Sequence, residues 1–99
     1  MNMQNLMAQA QKMQKEIQKK QEEIYKTEYE GTSQAVKVLI NGKKEILNIN
    51  IDKSIINDAD DVEALEDMIK IALNEAFKKV EKDIDSKLGT YAKGLNGLL

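Results

Sequence analysis

The sequence predicts an α+β fold in the order helix, two or three antiparallel strands, helix. Two segments with apolar spacing near 3.6 enclose a stretch that alternates with period two, and an Asn-Gly dipeptide inside that stretch marks a chain reversal. The 99 residues suffice for a single domain, residues 1–99, and lack the material for two cores.

The first helix is expected from residue 3 to about residue 25. At roughly 100° per residue, Met3, Leu6, Ala10, Met13, Ile17 and Ile24 fall on one stripe, and Lys12, Lys15, Lys19 and Lys26 fall opposite. Strong helix formers fill the segment until Tyr25, Thr27 and Tyr29 bring β-propensity and Gly31 breaks the run.

Residues 35–40 (AVKVLI) and 46–51 (ILNINI) flank Asn41-Gly42, both of which tolerate the positive φ of a type I′ turn. With a loop of even length, Val36, Val38 and Ile40 share a face with Leu47, Ile49 and Ile51. Glu28 to Ser33 reads as a third, shorter strand.

The second helix is expected from Asp61 to Leu88, because Val62, Leu65, Ile69, Ala72, Ala76, Val80, Ile84 and Leu88 recur every three or four positions. Gly89 reads as its C′ residue, and residues 89–99 as a flexible tail.

Proportion raises a problem. Strands of six residues span about 20 Å, whereas the two helices measure about 35 and 40 Å, so each overhangs the sheet while still carrying apolar side chains. A second chain would cover those stripes, and a homodimer is expected. Leu6, Met13, Ile17, Val36, Val38, Ile49, Leu65 and Ile69 are the positions expected in the core or the dimer contact.

The chain has no Cys, His, Trp, Pro or Arg. Disulfides, histidine acid–base chemistry and Cys or His metal sites are thereby excluded, and no bidentate guanidinium is available for guanine or phosphate. No nucleophile or phosphate-loop motif is present, so neither an enzyme, a cofactor nor a small-molecule substrate is expected. No export signal or membrane span is apparent, which makes a cytoplasmic protein the expectation.

The net charge of −2 conceals segregation. Residues 1–27 carry five Lys against three Glu, residues 52–67 seven acids against Lys53, and residues 70–93 six Lys against four acids. The acidic run lacks calcium-loop spacing and reads as helix capping. Two readings suit the lysine face of the first helix: a solvated surface with Lys12–Glu16 and Lys19–Glu23 pairs, or phosphate contact. Lys78, Lys79 and Lys82 pose the same choice on the second helix.

Three blocks, NLMAQAQKMQKEIQKKQEEI, VKVLINGKKEILNINID and DVEALEDMIKIALNEAFKKVEK, together resemble the YbaB/EbfC family of nucleoid-associated DNA-binding proteins over roughly residues 5 to 83. The resemblance implies an α-β-β-β-α protomer, a homodimer built through the sheets, and two long helices projecting like tweezers. It implies binding of duplex DNA, with a role in nucleoid organisation or gene regulation. On that reading Lys12, Lys15, Lys19, Lys78, Lys79 and Lys82 contact phosphates, while Gln9, Gln11 and Gln18 reach bases or sugars. The family's common Asp-Pro-Ser after the last strand is here Asp52-Lys53-Ser54. The competing class is a dimeric protein–protein interaction module with the same fold and no DNA contact.

Overall fold

The computed structural model describes residues 2–98, with side-chain surroundings through residue 91. The elements are α1 (Met3–Lys26), β1 (Glu28–Ser33), β2 (Val36–Asn41), β3 (Ile46–Ile51), a short 3-10 turn (Lys53–Ile55) and α2 (Asp61–Leu98). The predicted α-β-β-β-α order holds.

Helix α1 starts where the Asn2 side chain accepts the Gln4 amide at 3.0 Å, satisfying one orphan donor of the first turn. It stops where the Thr27 hydroxyl donates to the Glu23 carbonyl at 2.6 Å and extended Thr27 leads straight into β1.

The antiparallel sheet has the order β1-β2-β3. Val36 faces Ile51 and Val38 faces Ile49, as parity requires, but Ile40 faces Ile46 instead of Leu47. The turn explains the difference. Lys44 N donates to the Asn41 carbonyl at 2.9 Å and Asn41 N to the Glu45 carbonyl at 3.0 Å, closing a three-residue loop. A bulge then absorbs the odd residue. The left-handed position is Lys44, at φ 66°, and no glycine among the described residues has positive φ, so the expected type I′ turn at Asn41-Gly42 is not formed.

Gly42 serves close approach instead. A Cβ there would overlap the Ile24 carbonyl oxygen at the end of α1. Gly31 does the same for the other helix, since a Cβ at that position would overlap the Ala72 carbonyl oxygen of α2. Helix α2 therefore lies directly on β1 and β2, with Ala72, Ala76 and Val80 fully buried against Val36, Val38 and Ile40. Leu65 and Ile69 pack at the margin of this core.

Strand β3 is left uncovered: Ile46, Leu47 and Ile49 are 50%, 48% and 41% exposed. Of the remaining expected core or dimer positions, Met13 and Ile17 are half-buried and Leu6 is exposed in the protomer.

The predicted end of α2 is corrected. The helix does not stop at Leu88 but continues through Gly89 to Leu98. Gly89 weakens a helix without reversing it, and just beyond it Tyr91 ties α2 to α1: its hydroxyl donates to Glu16 at 3.1 Å and its ring lies 5.5 Å from Lys20 Nζ. The expected fraying of residues 89–99 lies partly outside the described residues, which exclude Leu99 and the side chains of 92–98.

The two helices run antiparallel beyond the sheet as a stalk. The long axis is 71 Å against 22 and 14 Å, and the radius of gyration is 19.8 Å. A compact domain of this length would measure about 13 Å.

Candidate nucleic-acid interface

Lys12, Lys15 and Lys19, with Gln9, Gln11 and Gln18, are all exposed on α1. The expected Lys12–Glu16 and Lys19–Glu23 pairs are not closed among the described residues. Glu16 instead accepts from Tyr91. The opposed charge on the Lys12 face is thus directed across the stalk, and the ammonium groups remain open to solvent.

Lys78 and Lys82 are exposed on α2 and make no ion pair among the described residues. Lys79 behaves differently. Its Nζ donates to the Glu30 carbonyl of β1 at 2.6 Å and lies 3.6 Å from Glu75. Lys79 therefore fastens α2 to the sheet, and its charge is shared with protein groups.

The lysines are strung out rather than clustered. Because Tyr91 stands level with Lys20, Lys82 lies about 13 Å further up the stalk, at about 1.5 Å per residue. Lys12 lies about 12 Å beyond Lys20 in the other direction. One protomer thus presents a line of positive charge along a rod, suited to a repeating anion more than to a small one.

Beside that line, Tyr29, Asp83 and Lys87 form a chain that periodicity did not signal. The Tyr29 hydroxyl donates to Asp83 Oδ2 at 2.5 Å, and Lys87 Nζ donates to the same oxygen at 3.2 Å. Burial, followed by the Asp83 carboxylate, pushes the Tyr29 phenol up to about 12. The Tyr29 hydroxyl, and to a lesser degree Lys87, hold the Asp83 carboxyl below its usual range against the effect of burial. Tyr29 and Asp83, with Lys79, Lys82 and Ser86, border an open cavity of about 340 Å³. A tyrosine on a strand and an aspartate fifty-four positions later carry no shared local pattern, so only the fold brings them together.

The acids between Asp52 and Asp67 sit at the opposite end of the molecule from the stalk tip. They are used for capping, as expected: Asp52 accepts from the Ser54 amide at 3.1 Å, and Asp61 accepts from the Asn57 and Asp58 amides at 2.8 and 3.2 Å. Among the described residues no cluster of acids could hold a metal ion, and no helix is long and apolar enough to cross a membrane.

A two-helix stalk on a three-stranded antiparallel sheet, with exposed lysines along its length, defines a class of small α-β-β-β-α protein. The family model described as the YbaB/EbfC DNA-binding family matches residues 1–95, and the chain belongs to that family. This is a DNA-binding family and not an enzyme family. A nucleoid-associated protein of Clostridium botulinum (strain Hall) is 50% identical over 97 residues, covering 96% of this chain and 85% of that protein. One from Lachnoclostridium phytofermentans is 43% identical over 96 residues, covering 95% and 80%. The crystal structure of an uncharacterized protein from Helicobacter pylori is similar with a TM-score of 0.69 and 27% identity, covering 100% of this chain and 99% of that one.

Proposed function

We propose that the protein is a nucleoid-associated homodimer of the cytoplasm that binds duplex DNA through the lysine faces of its stalk and contributes to nucleoid organisation or gene regulation. The observation that carries this reading is the set of Lys12, Lys15 and Lys19 on one face of a projecting helix, exposed and without ion pairs among the described residues. Family membership and the names of its relatives supply the ligand.

Dimerisation is supported by β3. It is an edge strand whose outer backbone groups have no partner strand among the described residues, and it exposes Ile46, Leu47 and Ile49. Such an edge invites pairing with a second copy. Two stalks then form the arms of a clamp, with Lys78 and Lys82 near its base and Lys12 toward its tips.

Without arginine, base readout is weak and phosphate contact dominates. If six phosphates are neutralised, log K falls against log salt with a slope of about −5. Fluorescence anisotropy of labelled duplex DNA at several salt concentrations, beside light scattering of the free protein, tests the proposal. The triple change Lys12→Glu, Lys15→Glu and Lys19→Glu should abolish binding while the dimer mass persists. A flat salt response refutes phosphate recognition. DNA binding unchanged by the triple variant removes these lysines from the interface, and a monomer mass refutes the clamp.

A further inference from the structure

At the root of the stalk, the turn between β2 and β3 straddles both helices. Asn41 shapes it: its Oδ1 accepts the Lys43 and Glu45 amides at 2.9 and 3.0 Å, and its Nδ2 donates to Glu45 Oε1 at 2.9 Å. Gly42 lies against the Ile24 carbonyl with no room for a Cβ, so the turn sits directly on the end of α1. Its two lysines point to different helices. Lys44 lies 3.9 Å from Glu81 of α2, whereas the Lys43 ammonium sits 5.4 Å from the centre of the Tyr25 ring on α1.

Tyr25 is itself fixed, since Gln21 donates to its hydroxyl at 3.0 Å, yet it remains 38% exposed. Glu22, Tyr25, Lys26 and Lys43 border a second open cavity, of about 400 Å³. An aromatic floor, two ammonium groups and one carboxylate give the site a net positive charge. Lys26 lies on the same helical face as Lys12, Lys15 and Lys19, so the cavity terminates their line. From Lys12 to Lys26 the line measures about 21 Å, and duplex DNA offers a phosphate on each strand about every 3.4 Å of its axis.

We infer that Lys26 and Lys43, with Tyr25 positioning Lys43 through its ring, form a further phosphodiester-binding site that extends the DNA footprint from α1 onto the β2–β3 turn. This rests on the DNA-binding reading proposed above. The ring holds an ammonium that would otherwise sweep through solvent on four rotatable bonds, which places the charge before DNA arrives. Glu22 sets the limit of the site: it keeps the net charge low enough that an isolated anion gains little, and a polyanion already held by α1 gains more.

The test is the same anisotropy titration, run on wild type, Lys26→Gln, Lys43→Gln, Tyr25→Leu, Tyr25→Phe and, as a control, Lys53→Gln in the acidic segment. Each of the two lysine changes should make the log–log salt slope less steep by about 0.9 and weaken binding about eightfold at 0.1 M salt for each copy engaged. Tyr25→Leu should weaken binding less than Lys43→Gln, and Tyr25→Phe and Lys53→Gln should leave the slope as in wild type. Circular dichroism of every variant reports whether the fold is kept. If wild type binds with a steep salt slope and both lysine variants match it, the inference is overturned while the DNA-binding reading stands. If wild type does not bind, both fall.

Discussion

Replacing Gly31 with alanine separates what the backbone contact dictates from what strand propensity alone would suggest. Glycine inside a strand is unfavourable, and exchanging it for alanine ordinarily adds about 0.4–1 kcal/mol by restricting the unfolded chain. Here a Cβ would overlap the Ala72 carbonyl oxygen, stand 2.8 Å from the Ala76 nitrogen and 3.0 Å from the Ala72 carbonyl carbon. All three are backbone atoms of α2, so no rotamer change relieves the collision. The helix has to lift until the methyl group reaches ordinary contact at about 3.5 Å or more. That movement loosens Ala72, Ala76 and Val80 against Val38, all of them 0% exposed. Overpacking of this kind costs about 1–3 kcal/mol, enough to outweigh the unfolded-state gain. In thermal denaturation at fixed protein concentration, Gly31→Ala should melt lower by about 4–8 °C for each kcal/mol lost. A melting temperature equal to or above wild type would refute the reasoning, because it would mean that α2 does not lie against β1 at Gly31.

Gly89→Ala should move the other way: a Cβ there meets nothing within 4 Å in a continuous helix, so about 1 kcal/mol of stability and added helicity by circular dichroism are expected. A lower melting temperature would restore the C′ role that the sequence suggests for this glycine. Raising the pH through Tyr29 gives a third test. A phenol pushed up to about 12 from its usual 10 stays protonated in the folded protein where the unfolded chain has already released its proton. Stability is therefore fully present below about pH 10 and declines between about pH 10 and 12. Tyr29→Phe should flatten that decline in urea titrations, and an unchanged pH profile would remove Tyr29 as its source.

The element order was legible because each element writes its period into the sequence. Helix α1 and strands β1 and β3 lie where helical periodicity, β-propensity and alternation place them, and Val36 and Val38 find the predicted partners. What was not legible depends on approach between distant backbones. Asn41-Gly42 resembles a type I′ turn in isolation, but the glycine is needed against Ile24, and Lys44 takes the left-handed position. Gly89 resembles a helix end for the same reason: a glycine states permission and not use. At the candidate site, the lysines of α1 could be read directly from their spacing opposite the apolar stripe. Spacing sets Lys79 on the flank of the α2 stripe, with Lys78 and Lys82 opposite it, but the tie of Lys79 to Glu30 was not legible because it crosses forty-nine residues.

The small residues at the sheet determine how the stalk can present charge. If large side chains separated α2 from β1, rotamer adjustments at the contact could change the direction of a helix of 38 residues, about 57 Å long. About 33 Å of helix lies between the Ala76 contact and Leu98, so a tilt of about 5° at the root would displace the tip by about 3 Å. With Gly31 against Ala72 and Gly42 against Ile24, both helices rest on backbone, which has no rotamers to exchange. Lys79 on Glu30 and Tyr29 on Asp83 add polar ties on the same flank of α2. Tyr91 on Glu16 then joins the helices further out. Spacing between the lysine lines of the proposed dimer is consequently a property of the sheet and of whatever contact β3 makes, and not of loop flexibility. On the proposed function, a clamp of that kind would recognise duplex width and phosphate repeat, which suits a lysine-only surface that lacks the planar forks needed to read bases.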